Sequence, residues 1–346
     1  MNVLFAVPGT RESASTRLRV LNMIPHLEES GIRCDVVSLE GTRQIGFRSN
    51  RLKKAYFALD LLGRAPRYDV VFIHRLPLPR LYVTLLEKLS KRIVYDFDDA
   101  IYTGPVWESI SLKRKEDFNN LIRTASTVIA GSPELQTYAG NYSDEVYCLP
   151  TPLPKQKYDH YWNGKEANGE PPRIGWIGNP QNLRYLATIT GPLEVVLNQY
   201  DDATLDIITA GEKPVTPLVD RNDVTYREWS LDSELDYLSK INIGVRPLSD
   251  TEWANSKGGF TSVVQMMALG IPVVVTPVSY LKNIVRHGES GFHASTEEEW
   301  IKYLKELIEN PKRRGTFGNR GRELVTEDEF WTEESVELLR EVLESD

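Results

Sequence analysis

One stretch of the chain, residues 253–278, combines a glycine turn, a helix pattern and a buried-strand pattern in the sequence WANSKGGFTSVVQMMALGIPVVVTPV. Apolar residues recur at helical spacing over 260–268, directly after two glycines, which predicts a helix that begins at a glycine loop. Gly270 follows the last periodic residue, where a C-terminal cap is expected. The unbroken run IPVVV is typical of a strand buried on both faces of a parallel sheet. This order of loop, helix and strand predicts an α/β sheet.

The helix of this stretch presents its free backbone N–H groups to the sheet edge where α/β proteins bind ligands. Lys257, the backbone N–H groups of Gly258, Gly259 and Phe260, and the hydroxyl of Thr261 could together hold a phosphate. A glycine turn with a solvated lysine is the alternative interpretation.

Apolar runs alternate with helix patterns along the rest of the chain, which predicts parallel sheets. Strands are predicted within residues 3–8, 34–39, 69–74, 92–97, 127–132, 145–154, 173–179, 204–211, 224–229, 241–248 and 272–277. Ser15 or Thr16 can cap the first helix. The polar segment 155–172 interrupts the alternation and is predicted to be a linker. A chain of 346 residues is long enough for two α/β domains.

Composition argues against several classes of protein. The formal net charge of −8 is the opposite of the basic excess expected for a nucleic-acid-binding protein. No apolar run approaches the roughly 20 residues of a membrane-spanning helix, and the start VLFAVPG lacks the basic flank of a signal peptide, so we expect a cytoplasmic protein. The first loop lacks G-x-G-x-x-G, which weakens a dinucleotide oxidoreductase interpretation. No spacing of His, Cys or Asp predicts a metal site of the zinc type.

The glycine loop, the helix and the phrase MALGIPVVVTPV resemble the donor-sugar segment of the GT-B glycosyltransferases, and within them glycosyltransferase family 4. Further stretches with counterparts in that family, in the same order, are SASTRLRVLNMIPHL, IVYDFDDAIY, STVIAGSPEL, PTPLP and IGWIGNPQNLRYL. The resemblance implies an α/β fold of two Rossmann-like, doubly wound parallel-sheet domains facing a cleft. The acceptor domain would span 1–160 and the donor domain 170–329, with a terminal helix in 330–346 crossing back to the first domain.

The same resemblance implies a retaining, metal-independent glycosyltransferase. Its donor would be a UDP- or GDP-linked sugar and its acceptor a glycan or a lipid-linked glycan, in cell-surface polysaccharide or glycoconjugate synthesis, with no additional cofactor. The family usually has Glu at the positions of Lys257 and Gln265. Two alternatives therefore stay open: a catalytically inactive nucleotide-sugar-binding protein of the same fold, and a sugar-nucleotide epimerase.

The family's second Glu holds the ribose of the donor, so the resemblance assigns ribose binding to Gln265. A glutamine on the helix surface is the alternative. Trp229 and Ser230 follow a predicted strand at the point where the family contacts the nucleobase. Arg17 follows the first loop, which the family places against the diphosphate, and is expected to be a phosphate ligand; a solvated arginine is the alternative.

Three aspartates, Asp96, Asp98 and Asp99, end a predicted buried strand, where open α/β sheets bind ligands. By the resemblance, Asp98 stands where many family members keep a His beside the transferred sugar, and we expect it to orient a sugar or acceptor hydroxyl. One alternative is a cluster that caps a turn. Another is a D-x-D metal site, as in the other large class of glycosyltransferases.

Residues 47–67 mix six basic residues with a helical apolar face. Such a helix can lie on an anionic membrane surface, which would make the protein peripheral on the inner face of the membrane. An ordinary solvated helix packed on the sheet is the other interpretation.

Overall fold

A computed structural model of the chain describes residues 1–42, 49–104, 110–162, 171–211, 217–258, 260–327 and 330–345. The chain divides into two compact units. The first comprises Met1–Pro154, Thr251–Gly259 and Phe330–Asp346, and the second comprises Lys155–Asp250 and Phe260–Glu329. Each unit contains a six-stranded parallel sheet flanked by helices, so the expected fold class of two Rossmann-like domains is confirmed. The predicted domain bounds stay a prediction.

The sheet of the first unit has the strand order β2-β1-β3-β4-β5-β6, and every pairing is parallel. Its strands are β1 (Asn2–Val7), β2 (Arg33–Ser38), β3 (Val70–His74), β4 (Ile93–Phe97), β5 (Thr127–Ala130) and β6 (Val146–Cys148). Each predicted apolar run of the first half of the chain overlaps one of these strands. Their β-branched and aromatic residues suit a sheet that is covered on both faces.

The sheet of the second unit has the order β12-β11-β10-β7-β8-β9. Its strands are β7 (Arg173–Ile177), β8 (Thr204–Thr209), β9 (Val224–Glu228), β10 (Ile243–Arg246), β11 (Val273–Val275) and β12 (Gly291–His293). The chain runs from β7 outward to β9 and then returns to the opposite side of β7 at β10. The strand order therefore reverses between β7 and β10, which is where open α/β sheets bind ligands.

The α-helices of the described residues are α1 (Ala14–Thr16), α2 (Ile24–Glu29), α3 (Asn50–Arg64), α4 (Arg80–Leu89), α5 (Leu112–Thr124), α6 (Pro133–Ala139), α7 (Lys155–Tyr161), α8 (Leu183–Leu186), α9 (Thr190–Gln199), α10 (Glu234–Leu238), α11 (Glu252–Ser256), α12 (Thr261–Ala268), α13 (Leu281–Ile284), α14 (Glu297–Glu309), α15 (Pro311–Glu327) and α16 (Thr332–Glu344). Among them, α12 is the helix predicted after the glycine loop, and Gly270 adopts a φ of 66° just beyond it, as expected for its cap.

Two local predictions are wrong. The first helix begins at Ala14 with Ser13 at its N-cap and continues as a π turn over Arg17–Leu21, so neither Ser15 nor Thr16 caps it. The first part of the predicted linker is α7, because Tyr158 is buried and holds this polar helix on the second unit. Residues 163–170 lie outside the described residues.

Each unit has its own apolar core. In the first, side chains of β1 and β3 pack with Val336, Leu339 and Val342 of α16, so the expectation that the terminal helix packs on the first domain is confirmed. In the second, the core includes Trp176 of β7 and Trp300 of α14. Burying one such large side chain stabilises a domain by about 1.5–3 kcal/mol. Among the described residues, no helix is both long enough and apolar enough to span a bilayer.

Candidate functional site

Asp96 lies inside the first unit as part of a buried ion pair. It is 1% exposed, and its carboxylate accepts hydrogen bonds from Nε of Arg19 at 3.0 Å and approaches Nδ1 of His74 to 2.5 Å. Burial opposes ionisation, yet the charges and hydrogen bonds of Arg19 and His74 hold the pKa of Asp96 below its usual value. Asp96 is therefore an ionised anchor of the carboxyl end of β4.

Asp98 joins the same network through Ser15. The Oγ of Ser15 donates to Oδ1 of Asp98 at 3.1 Å and lies 2.6 Å from Nε2 of His74, while Nε of Arg75 is 3.4 Å from Asp98 Oδ1. Burial alone would raise the pKa of Asp98, but Arg75 and His74 lower it to about 2. A continuous chain of contacts thus runs from Asp96 through His74 and Ser15 to Asp98.

The backbone around Asp98 is tightly constrained. A Cβ on Gly131 would lie 2.7 Å from the Cα of Asp98, so only glycine allows this approach. Arg75 has a φ of 57°, a conformation that non-glycine residues adopt at a cost of about 1–3 kcal/mol and that clusters at functional sites. Asp99 accepts from the N–H of Ala100 at 2.9 Å, as a turn-capping residue does, and from Nη2 of Arg75 at 3.2 Å.

Each carboxylate of the aspartate cluster, Asp96, Asp98 and Asp99, forms an ion pair with an arginine. Arg19 pairs with Asp96, and Arg75 pairs with Asp98 and Asp99. No group of three or more His, Cys, Asp or Glu side chains suited to a metal ion occurs among the described residues. The residues present therefore favour a carboxylate site balanced by arginines over a D-x-D metal site. The catalytic role of the cluster stays a prediction.

Arg17 is buried and donates from Nη1 to the carbonyl oxygens of Arg11 at 3.0 Å and Glu12 at 3.3 Å. It therefore holds the loop that follows β1, and the alternative of a solvated arginine is wrong. Phosphate binding by Arg17 stays a prediction.

Lys257 and Gly258 belong to the first unit. Lys257 is buried, and its Nζ lies 4.4 Å from the centre of the Trp253 ring, a cation–π contact; the alternative of a solvated lysine is wrong. A Cβ on Gly258 would lie 2.9 Å from the carbonyl oxygen of Gly131, so this glycine permits a close backbone approach. Gly259 lies outside the described residues.

Phe260, Thr261 and Gln265 belong to the second unit. Phe260 is buried at the N-cap of α12, and Thr261 is the first residue of that helix. Gln265 is buried and donates from Nε2 to Oη of Tyr158 at 2.9 Å and to Oε1 of Glu234 at 2.7 Å. The alternative of a helix-surface glutamine is therefore wrong.

Trp229 and Ser230 form the turn between β9 and α10. The indole Nε1 of Trp229 donates to Oε2 of Glu234 at 2.7 Å, and Oγ of Ser230 accepts from the N–H of Ser233 at 3.2 Å. Glu234 thus joins Trp229 to Gln265, two residues predicted to contact the donor. The sequence prediction missed this buried carboxylate because no local pattern links it to Gln265, which is 31 positions away.

Residues 171–310 match the family model of glycosyl transferases group 1. The chain carries a group 1 glycosyltransferase domain. A search of curated proteins finds no match to the chain. This glycosyltransferase is similar over its whole length to Anabaena Alr3699/HepE, whose crystal structure contains UDP and glucose, with 15% identity, 100% coverage of both chains and a TM-score of 0.73.

Two further structures are similar to this glycosyltransferase. Sucrose-phosphate synthase (tll1590) from Thermosynechococcus elongatus is 13% identical, with 99% of this chain and 98% of the other covered and a TM-score of 0.73. UDP-GlcNAc 2-epimerase from Methanocaldococcus jannaschii is 11% identical, with 95% and 100% covered and a TM-score of 0.57. At these identities the likeness shows the GT-B fold. The expectation of a GT-B glycosyltransferase is confirmed, and the finer assignment to family 4 stays a prediction.

Proposed function

We propose that this protein is a retaining, metal-independent glycosyltransferase that moves a sugar from a UDP- or GDP-linked donor to a glycan or lipid-linked acceptor. We place it in cell-surface polysaccharide or glycoconjugate synthesis. The observation that carries the proposal is the group 1 domain over residues 171–310, which includes the glycine loop and α12. The UDP complexes of HepE support a nucleotide sugar as donor.

On the donor side, the proposal assigns the ribose to Gln265 and the base to the turn at Trp229 and Ser230. This assignment is supported by Glu234, whose carboxylate accepts hydrogen bonds from both Trp229 and Gln265 and so fixes their side chains. Polar groups that are already fixed recognise hydroxyls at little entropic cost. Lys257 and the start of α12 are assigned to the diphosphate. Lys257→Ala is then expected to raise the dissociation constant of the donor by tenfold or more, by roughly the energy of a charged hydrogen bond.

On the acceptor side, the proposal assigns Asp98 to a sugar or acceptor hydroxyl. A carboxylate that stays ionised and is fixed by Ser15 and Arg75 is suited to accept a hydrogen bond from such a hydroxyl. Asp96 and Asp99 would hold the backbone around Asp98 in place without contacting the substrate. Asp96 is enclosed by Arg19 and His74, and Asp99 caps a turn.

The epimerase is the second candidate, favoured by the similarity to the 2-epimerase. Incubating the purified protein with UDP- and GDP-sugars in EDTA, with and without a panel of glycan acceptors, separates the candidates. Release of nucleoside diphosphate that depends on an acceptor, with the anomeric configuration retained by NMR, supports the transferase. A donor sugar altered without acceptor supports the epimerase, and donor binding without turnover supports an inactive relative.

We also propose a cytoplasmic location and a peripheral contact with the inner face of the membrane through residues 47–67, of which 47 and 48 lie outside the described residues. The helix α3 in this segment packs on the first unit through Phe57 and Leu61. On its opposite side Leu52, Tyr56 and Leu59 are exposed at helical spacing. Both interpretations of the segment are thus compatible with its structure.

The neighbouring helix α4 extends this apolar surface. It packs beside α3 and exposes Leu81, Leu85 and Leu89. These two helices provide six of the ten exposed large hydrophobic side chains of the described residues. The two helices also carry six Lys or Arg against two Asp or Glu, in a chain of net charge −8. An apolar and basic surface of this kind is complementary to an anionic bilayer.

A further inference from the structure

The guanidinium of Arg246, at the carboxyl end of β10, is buried, and no residue of the described ranges supplies a counter-charge to it. The residue is 5% exposed. Within the part of the chain that the structure describes, its Nε has no hydrogen-bond partner and its guanidinium forms no ion pair. Burial, opposed in part by Tyr185, lowers the pKa of Arg246 to about 10, so the group is charged at neutral pH. Buried charges are normally paired, because their removal from water is costly.

Arg246 lies where the strand order of the second sheet reverses. The strands β10 and β7 are parallel neighbours with Gly244 opposite Gly175, so Arg246, two residues further on, lies beside the end of β7. The chain leaves β7 toward β8 and reaches β10 on the other side. Open α/β sheets bind ligands outside the carboxyl ends of the strands at such a point.

The adjacent strand ends leave the guanidinium close to the backbone. A Cβ on Gly178, directly after β7, would lie 2.8 Å from the ring of Trp176, so only glycine fits against this ring. The same Cβ would lie 3.5 Å from Nη1 of Arg246, an ordinary contact distance, which places the guanidinium beside the backbone of Gly178. Thr209, at the end of β8, is 1% exposed, and its Oγ1 also has no hydrogen-bond partner among the described residues. The carboxyl ends of three neighbouring strands therefore carry a cation (Arg246 of β10), a backbone without a side chain (Gly178 after β7) and a hydroxyl (Thr209 of β8).

We propose that Arg246 binds a phosphoryl group and that the ligand is the diphosphate of the nucleotide sugar. The identity of this ligand rests on the proposed function, because a diphosphate is the anion that such a donor brings. A guanidinium can donate from Nε and one Nη to two phosphate oxygens at once. The anion then supplies the counter-charge that the described residues do not provide.

Arg246→Met tests the proposal because it is expected to weaken ligand binding without lowering the stability of the ligand-free protein. In the ligand-free protein this substitution removes an unpaired buried charge and keeps much of the side-chain volume, so the midpoint of thermal unfolding stays level or rises. The dissociation constants of pyrophosphate and UDP, measured by calorimetry in EDTA, rise by about tenfold or more. Arg246→Lys keeps the charge without the planar fork and gives intermediate constants.

Arg314 provides a matched control in the same unit. It is buried to a similar extent, 7% exposed, but its Nη1 donates to the carbonyl oxygens of Leu307 at 2.7 Å and Ile308 at 2.9 Å. Arg314→Met is therefore expected to lower the thermal midpoint and to leave ligand dissociation constants unchanged.

The outcomes separate this proposal from the proposed function. If the wild type binds UDP or GDP and the Arg246→Met variant binds them equally well, the role of Arg246 is overturned and the transferase proposal stands. If Arg246→Met fails to fold, Arg246→Lys takes its place in this comparison. Binding of pyrophosphate alone, lost in the variant, supports the anion site and contradicts a nucleotide donor. A wild type that binds none of pyrophosphate, UDP and GDP overturns both.

Discussion

The Nδ1 atom of His74 lies 2.5 Å from Oδ2 of Asp96, and the two residues are register partners at the ends of β3 and β4. Parallel pairing therefore sets a ring nitrogen against a carboxylate in the interior of the first unit. Arg19 donates to the same carboxylate, and Ser15 extends the contacts to Asp98. The position of Asp98 thus depends on side chains from three separate segments of the chain.

His74→Ala is expected to lower the free energy of unfolding by about 3 kcal/mol, because it removes one partner of a buried carboxylate. Urea denaturation at pH 7 measures the change. His26→Ala is the control, since His26 lies on the surface and its loss is expected to cost no more than about 0.5 kcal/mol. Equal losses in the two variants would contradict a buried network at His74.

The pKa of Asp98, about 2 in the folded protein, lies below its usual value, so its charge stabilises the fold above the unfolded pKa and the contribution is lost as the pH falls. The loss occurs between about pH 4 and pH 2. Asp98→Asn is expected to reduce stability at pH 7 by roughly 2 kcal/mol and to flatten the acid decline. Urea midpoints from pH 7 to pH 2.5 test this, and parallel declines in both proteins would count against it.

Gln265→Glu introduces the residue that glycosyltransferase family 4, which this sequence resembles, usually has at this position, and we expect it to destabilise this protein. The substitution sets a second carboxylate against Oε1 of Glu234, which now accepts from Gln265 at 2.7 Å, and two buried like charges cost about 2–4 kcal/mol. The double variant Gln265→Glu with Glu234→Gln exchanges the two groups and is expected to recover most of the loss. A single variant as stable as the wild type would contradict the pairing.

The apolar surface of α3 and α4 predicts selective binding to anionic vesicles. Wild-type protein is expected to sediment with vesicles containing phosphatidylglycerol and to stay in solution with phosphatidylcholine alone. Leu59→Ser with Leu85→Ser is expected to weaken this binding by about tenfold, whereas Val195→Ser, an exposed residue of α9, leaves it unchanged. Equal sedimentation of all three proteins, or none by the wild type, would contradict the proposed contact.

Much of the fold could be predicted from the sequence, because β-branched runs mark parallel strands covered on both faces and capped apolar periodicity marks helices. The helix α12 and its glycine cap at Gly270 followed from these local signals. The helix α7 did not, because it is polar and one buried residue, Tyr158, anchors it. The π turn at Arg17–Leu21 likewise has no signal in helical periodicity.

The site was harder to predict, since its chemistry depends on contacts between distant residues. The ending of β4 identified Asp96 and Asp98, but their partners Arg19, Ser15 and His74 come from other segments. Arg246 has no local signal either, because in INIGVRPL it is one more residue of a strand. Its burial without an ion-pair partner in the described ranges can be recognised only in the folded sheet, where β7, β8 and β10 lie side by side.

The most direct test of the central claim is a thermal-shift panel with UDP, GDP and several nucleotide sugars, each measured in EDTA and with magnesium or manganese. A ligand at about 100 times its dissociation constant adds roughly 2.7 kcal/mol to the stability of the domain that binds it, a rise of several degrees. The account predicts a rise with one nucleotide family in EDTA. A rise that requires metal would contradict the metal-independent proposal, and no rise with any nucleotide would contradict a nucleotide-sugar transferase.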